Sequence, residues 1–199
     1  GELSLGTVNL EASHSDNQWL LSTATIKSDV FEASLFGGSW DKTSNGDSSK
    51  LKLKISSDDL ASTLKLFGYQ QAIDAKDAAL IADLKWASNP LGFSRELLNG
   101  DFTLELGEGN LNDIEPGAAG RIFGLMSITS LPGLLSLNFS ELFSKGFDFD
   151  SITSSFQLQN GVASTEDFIL KGPSAEIEIS GEVDLVNELY QQEVKITPN

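Results

Sequence analysis

The sequence has no cysteine and a single histidine in 199 residues. Without cysteine there is no disulfide framework, no thiolate metal site and no cysteine nucleophile. The lone His14 has no second imidazole or thiol to complete a metal site or a nucleophile pair. In Ser13-His14-Ser15-Asp16-Asn17 it reads as a solvated turn residue. Basic side chains are also few: 13 Lys and Arg stand against 29 Asp and Glu, a formal net charge of -16. Such a chain repels nucleic acid and anionic membrane surfaces, both of which are bound through clustered cations. The acids are scattered along the chain, as expected of solvated strand faces and not of an acidic tail.

Recognisable catalytic patterns are missing as well. There is no glycine-rich phosphate loop, no serine nucleophile elbow and no basic-aromatic patch. Asp41-Lys-Thr-Ser-Asn-Gly-Asp47 lacks both the ligand spacing and the closing glutamate of a calcium loop, and reads as a hairpin tip. The adjacent pairs Asp58-Asp59 and Glu166-Asp167 would point to opposite faces of a strand, so they do not form an acid–base couple. Asp58-Asp59 instead suits a helix N-terminus. The expectation is a protein that is not an enzyme and needs no metal or cofactor. A membrane-crossing run is lacking too. Gly117 to Leu137 carries one charge, Arg121, but Pro132-Gly133 cuts it short of spanning length.

What the chain does have is alternation. Residues 2 to 12, Trp19 to Ile26, Val30 to Trp40 and Leu51 to Ile55 read as strands, with turns at Asp16-Asn17, Asn45-Gly46 and, further on, Asn160-Gly161. In the third of these, Phe31, Ala33, Leu35 and Gly37 share a face. Ser56-Ser57-Asp58-Asp59 caps a short helix to Phe67, closed by Gly68. Asp77 to Trp86, Leu98 to Leu106 and Asn110 to Ile114 resume the sheet. Phe147 to Leu158, Val162 to Lys171, Ala175 to Leu185 and Leu189 to Ile196 complete it. A change of phase near Asp150-Ser151 predicts a bulge or bend. Lys27 to Gly37 aligns without gaps on Lys171 to Gly181, with Lys, Glu and Gly coinciding, and reads as one β unit used twice.

Between these units lies the one long apolar segment that is compatible with helix. Pro116 suits its first turn, and Ile122, Phe123, Leu125 and Met126 leave it almost without a polar face. A second short helix carries Phe139 and Phe143, with Gly146 as its stop. The organisation predicted is a β-repeat unit over 1–56, a short helix plus strands over 57–115, an apolar helical insertion over 116–146 and a C-terminal β-repeat unit over 147–199. Together they form one continuous structural domain. The opening at Gly1, directly on a strand, reads as a piece of a larger protein.

Almost every strand has one apolar and one polar face, as antiparallel sheets do when one side meets water. Phe102, Leu104 and Leu106 share a face, as do Phe156 and Leu158, and Ile177, Ile179 and Val183. Two such sheets could close into a dry sandwich, or one could curl and leave an apolar trough. Alternation alone does not separate the two.

Several stretches resemble one family. Ile122-Phe-Gly-Leu-Met-Ser-Ile128 with Leu131-Pro132, and Leu137-Asn-Phe-Ser-Glu-Leu-Phe-Ser-Lys-Gly-Phe-Asp-Phe-Asp-Ser-Ile152, are similar to the C-terminal region of YhdP-type proteins. These belong to the AsmA-like group of Gram-negative envelope proteins. Leu66-Phe-Gly-Tyr69, Leu84-Lys-Trp86, Leu98-Asn-Gly100, Gly172-Pro173 and Tyr190 to Pro198 extend the resemblance from about Asp59 to the end. It implies a mainly β fold, an antiparallel, strongly curved sheet forming an open hydrophobic groove, with two inserted helical segments. It also implies a section of a bridge-like protein, anchored in the inner membrane outside this fragment. Such a protein carries phospholipid across the periplasm and supports the outer-membrane barrier. Phe102, Leu104, Leu106, Phe156, Leu158, Ile177, Ile179 and Val183 are then groove candidates. Ile122, Phe123, Leu125, Met126, Phe139 and Phe143 are candidates for a groove end or a contact with another envelope protein. The alternative is a non-enzymatic scaffold module with a closed β core.

Overall fold

A computed structural model describes residues 6–69, 73–111 and 146–199. Ten strands form one antiparallel sheet: β1 (Thr7–Ser15), β2 (Gln18–Lys27), β3 (Glu32–Thr43), β4 (Gly46–Ser57), β6 (Ala78–Trp86), β7 (Asn99–Leu106), β10 (Ser151–Gln159), β11 (Val162–Lys171), β12 (Ala175–Asp184) and β13 (Leu189–Pro198). They lie side by side in chain order, with β1 and β13 as the two edges, so the sheet does not close into a barrel. Three short strands, β5 (Ile73–Ala75), β8 (Gly109–Leu111) and β9 (Phe147–Phe149), make a second sheet.

The second sheet is built from extensions of the first. β5 precedes β6, β8 follows β7 and β9 precedes β10, each after a sharp bend. At the bends Gly107 N–H donates to Lys76 C=O (2.9 Å) and Asp150 N–H to Lys171 C=O (2.7 Å). The phase change in Phe147 to Leu158 is therefore a passage from one sheet to the other. Ile73, Ala75, Leu111, Phe147 and Phe149 pack onto Leu106, Ile152, Phe168, Leu170, Ile177 and Ile179 of the large sheet, and this is the main core.

α1 (Leu60–Leu66) is the one α-helix among the described residues. Asp59 caps it, its carboxylate accepting Ser62 N–H at 2.9 Å, while Leu60 and Leu64 face the main core. That hydrogen bond holds the Asp59 carboxyl below its ordinary pKa. The apolar segment with Ile122, Phe123, Leu125, Met126, Phe139 and Phe143 lies outside the described residues.

The internal repeat is visible in the register. Lys27, Ile26, Thr25 and Ala24 pair with Glu32, Ala33, Ser34 and Leu35. Lys171, Leu170, Ile169 and Phe168 pair with Glu176, Ile177, Glu178 and Ile179. The turns match too: Ser28 N–H donates to Phe31 C=O and Gly172 N–H to Ala175 C=O, both at 3.0 Å. Each copy carries a Lys–Glu pair, at 3.9 and 4.0 Å. The pairs are exposed, so each contributes at most about 1 kcal/mol and helps the register more than stability.

Candidate apolar binding surface

Following the cross-strand partners through the large sheet shows how one of its faces is made. Ala12, Leu21, Gly38, Leu51, Leu84, Gly100, Leu158, Ala163, Val183 and Tyr190 are successive neighbours, one from each of the ten strands. Side chains opposite each other across a ladder lie on the same face. One row therefore crosses the whole sheet, roughly 40–45 Å at the usual strand spacing, with the Tyr190 hydroxyl its only polar side-chain group. A second row runs Leu10, Ala24, Leu35, Leu53, Ala82, Phe102, Phe156. A third runs Val8, Ile26, Ala33, Ile55, Leu80, Leu104 and ends at Ser154.

The opposite face is mostly polar, with Leu20 and Ile81 among the apolar residues exposed on it. Lys52, Asp83, Asp101, Gln157, Ser164, Glu182 and Gln191 form one of its rows, with Lys52 and Asp83 paired at 2.8 Å. The net negative charge is thus spent largely on solvation. Among the described residues no cluster of acids and histidine has the geometry of a metal site.

One end of the apolar face, toward the β1–β2 and β3–β4 turns, is aromatic. His14, Trp19, Trp40, Ser49 and Trp86 are successive partners there, and the His14 and Trp19 rings lie 4.4 Å apart. Trp40 Nε1 donates to Asp47 (3.1 Å) and Trp86 Nε1 to Asn89 C=O (3.0 Å). His14 is exposed, as a solvated residue would be, but it is the penultimate residue of β1 and does not sit in the turn.

All eight sequence-predicted residues fall on the apolar face. Leu106, Ile177 and Ile179 lie in the main core, under the second sheet. Leu158 is buried in a second cluster with Leu98 and Ala163. Phe102, Leu104, Phe156 and Val183 are half-buried. The other half of the face had gone unnamed. Over β1–β4 it carries Leu10, Leu21, Leu35, Leu51, Leu53 and Ile55, none of them in either core cluster. Val8 and Leu10 are 55% and 63% exposed. The clean alternation of Leu51, Leu53 and Ile55 was the available signal. One expectation shifts by a residue: a bulge between Leu35 and Gly37 puts Gly38, and not Gly37, on this face.

A second bulge interrupts the face where β10 meets β11, between Thr153 and Gln157. The buried hydroxyls of Ser154 and Thr165 bond each other there at 2.9 Å. Asp167 Oδ1 accepts Ser155 N–H (2.7 Å) and Thr165 Oγ1–H (3.1 Å). Burial pushes the Asp167 carboxyl up, but the hydrogen bonds from Ser155, Thr165 and Ser154 outweigh it and hold its pKa below the ordinary value. With these partners Asp167 holds the bulge together.

The fold is thus a broad antiparallel sheet whose one face is apolar from strand to strand. The YhdP protein family matches residues 1–199, and the chain belongs to that family. The intermembrane phospholipid transporter YhdP of Escherichia coli (strain K12) is 30% identical over 161 residues, 81% of this chain. The match covers 13% of that relative's length. No solved structure gave a significant match.

Proposed function

We propose that this chain is a section of a phospholipid path between the inner and outer membranes of a Gram-negative cell. In this reading the sheet curves so that its apolar face lines an open groove, and the section works in the periplasm. The inner-membrane anchor lies elsewhere in a longer protein, and supply of phospholipid supports the outer-membrane barrier. No covalent chemistry is involved. The observation that carries the reading is the ten-residue row from Ala12 to Tyr190, nearly free of polar side-chain groups along its length. The similarity to a protein named as an intermembrane phospholipid transporter supports it.

The physics follows from that row. Transfer of an acyl chain from water gains about 0.8 kcal/mol per CH₂. The gain needs no headgroup contact, so binding tolerates different headgroups. From Ala12 to Leu84 neighbouring positions along the row are chemically alike, so a chain advancing by one strand there exchanges equivalent contacts and meets a low barrier.

The test is to purify the chain from a Gram-negative host, extract it with organic solvent and analyse the extract by mass spectrometry. Co-purified phospholipid is the expected result. Lipid-free protein that still binds an envelope protein would replace this reading with that of a scaffold module.

A further inference from the structure

We infer that the apolar path ends at the stacked rings of Phe102 and Phe156, so that acyl chains lie over β1–β4 and β6 and do not continue over β11–β13. This rests on the lipid reading above and adds a stopping point to it. The two residues are cross-strand partners on the central strands β7 and β10, with ring centroids 4.5 Å apart and planes 12° from parallel.

Phe156 packs against both core clusters. One lies beneath the second sheet at one end of the strands, and the other surrounds Leu98 and Leu158 at the opposite end. The clusters meet at this pair, so the face is filled along the whole length of β10. Just beyond it the face is covered: Leu158, Ala163, Phe168 and Ile179 are 6%, 4%, 5% and 4% exposed, and the half-buried Val183 and Tyr190 lie on the far side of that cover. At the opposite end the segment after β6 is tied to the β10–β11 and β12–β13 turns. Gly161 N–H donates to Leu98 C=O (3.0 Å), Leu185 N–H to Gly161 C=O (2.9 Å) and Arg95 Nη1 to Leu185 C=O (3.0 Å).

On the β1 side no such cover stands between the strands. Leu10 is exposed, Leu21, Leu35, Leu51 and Leu53 are half-buried, and none packs in either cluster. β2, β3, β4 and β6 are internal strands whose N–H and C=O groups are paired with neighbours. The face therefore has no backbone partners to offer an occupant. An extended peptide laid across it would bury its own polar backbone unpaired, whereas an acyl chain has nothing to pair.

The test uses the 199-residue chain with a photoreactive diazirine amino acid at Leu10, Leu35 or Leu53, or at Val183 or Tyr190. None of these sites is fully buried, so folding should tolerate the probe. The protein is irradiated with vesicles of the zwitterionic lipids phosphatidylethanolamine and phosphatidylcholine, which carry no net charge, and adducts are read by mass spectrometry. Phospholipid adducts are expected at Leu10, Leu35 and Leu53 and not at Val183 or Tyr190. Adducts at all five positions would overturn the stopping point while leaving the lipid reading intact. No adduct at any position would overturn both. Brominated acyl chains give a second measurement: they should quench the native Trp19 and Trp40. A Tyr190→Trp reporter, with the native tryptophans replaced by phenylalanine, should lose no fluorescence. Equal quenching of that reporter would also overturn the inference.

Discussion

The carboxylate of Asp167 on β11 reaches across the bulge to β10 and accepts the backbone N–H of Ser155 at 2.7 Å. It replaces a ladder bond that the bulge removes, so a side chain completes the backbone pairing of the sheet. Its folded pKa is lowered, so the stability it contributes is fully present above the unfolded carboxylate pKa. That stability is lost as pH falls through the lower, folded value. Asp167→Asn should lower stability at neutral pH by about 1–2 kcal/mol, the worth of a charge-assisted hydrogen bond at a partly exposed site. Urea midpoints measured from neutral to acidic pH should fall for the unaltered chain, and the gap to the variant should narrow.

Gly100 sits in the ten-residue row between Leu84 and Leu158 with φ +132°. A Cβ added there would lie 2.0 Å from the Asp83 carbonyl oxygen. That oxygen is backbone and cannot swing aside, so β6 and β7 would have to separate. Gly100→Ala is expected to cost about 1–3 kcal/mol. The check is a shifted urea midpoint with an unchanged slope.

How far the sequence reveals this fold depends on the range of the interactions involved. Alternation and turn chemistry are local, and they located all ten long strands and the turn at Asn160-Gly161, both residues of which have positive φ. The repeated unit was legible because its register is set by the hairpin turn and the Lys–Glu pair beside it. The bulges at Leu35/Gly37 and Thr165/Phe168 were not legible, because they displace backbone while leaving an ordinary side-chain pattern. β5, at three residues, is too short to show a period. Which half of the apolar face is covered depends on the second sheet folding back, a long-range event that strand patterns do not encode. Hence Phe102 and Ile177 looked alike in sequence, though one is half-buried and the other 2% exposed.

Thr63 fastens α1 to the sheet. Its hydroxyl and that of Ser57 both donate to Val30 C=O, at 2.9 and 2.8 Å, and they lie 2.9 Å from each other. Thr63→Val keeps the shape and removes one hydroxyl from this group, at a cost of about 1 kcal/mol. The loss should be local: hydrogen exchange should quicken in α1, and the strands of the large sheet should keep their protection.

Ile177 and Leu53 occupy the same face of the same sheet, and charge should affect them oppositely. Ile177 is sealed in the main core with Phe147 and Phe149, so Ile177→Asp leaves a carboxylate without water or a partner. Such a group costs several kcal/mol, a large share of the stability of a domain this size. That variant should lose its cooperative thermal transition. Leu53 is half-buried and belongs to neither core cluster, so an aspartate there can turn its carboxylate into solvent. Leu53→Asp should melt cooperatively near the parent temperature while retaining far less co-extracted phospholipid, because a hydrated charge now stands in the apolar row. Melting curves and lipid extraction on the same two preparations separate these roles. If Leu53→Asp unfolds as Ile177→Asp does, the face over β4 is closed core. If it folds and keeps its lipid, the acyl chain does not pass over Leu53.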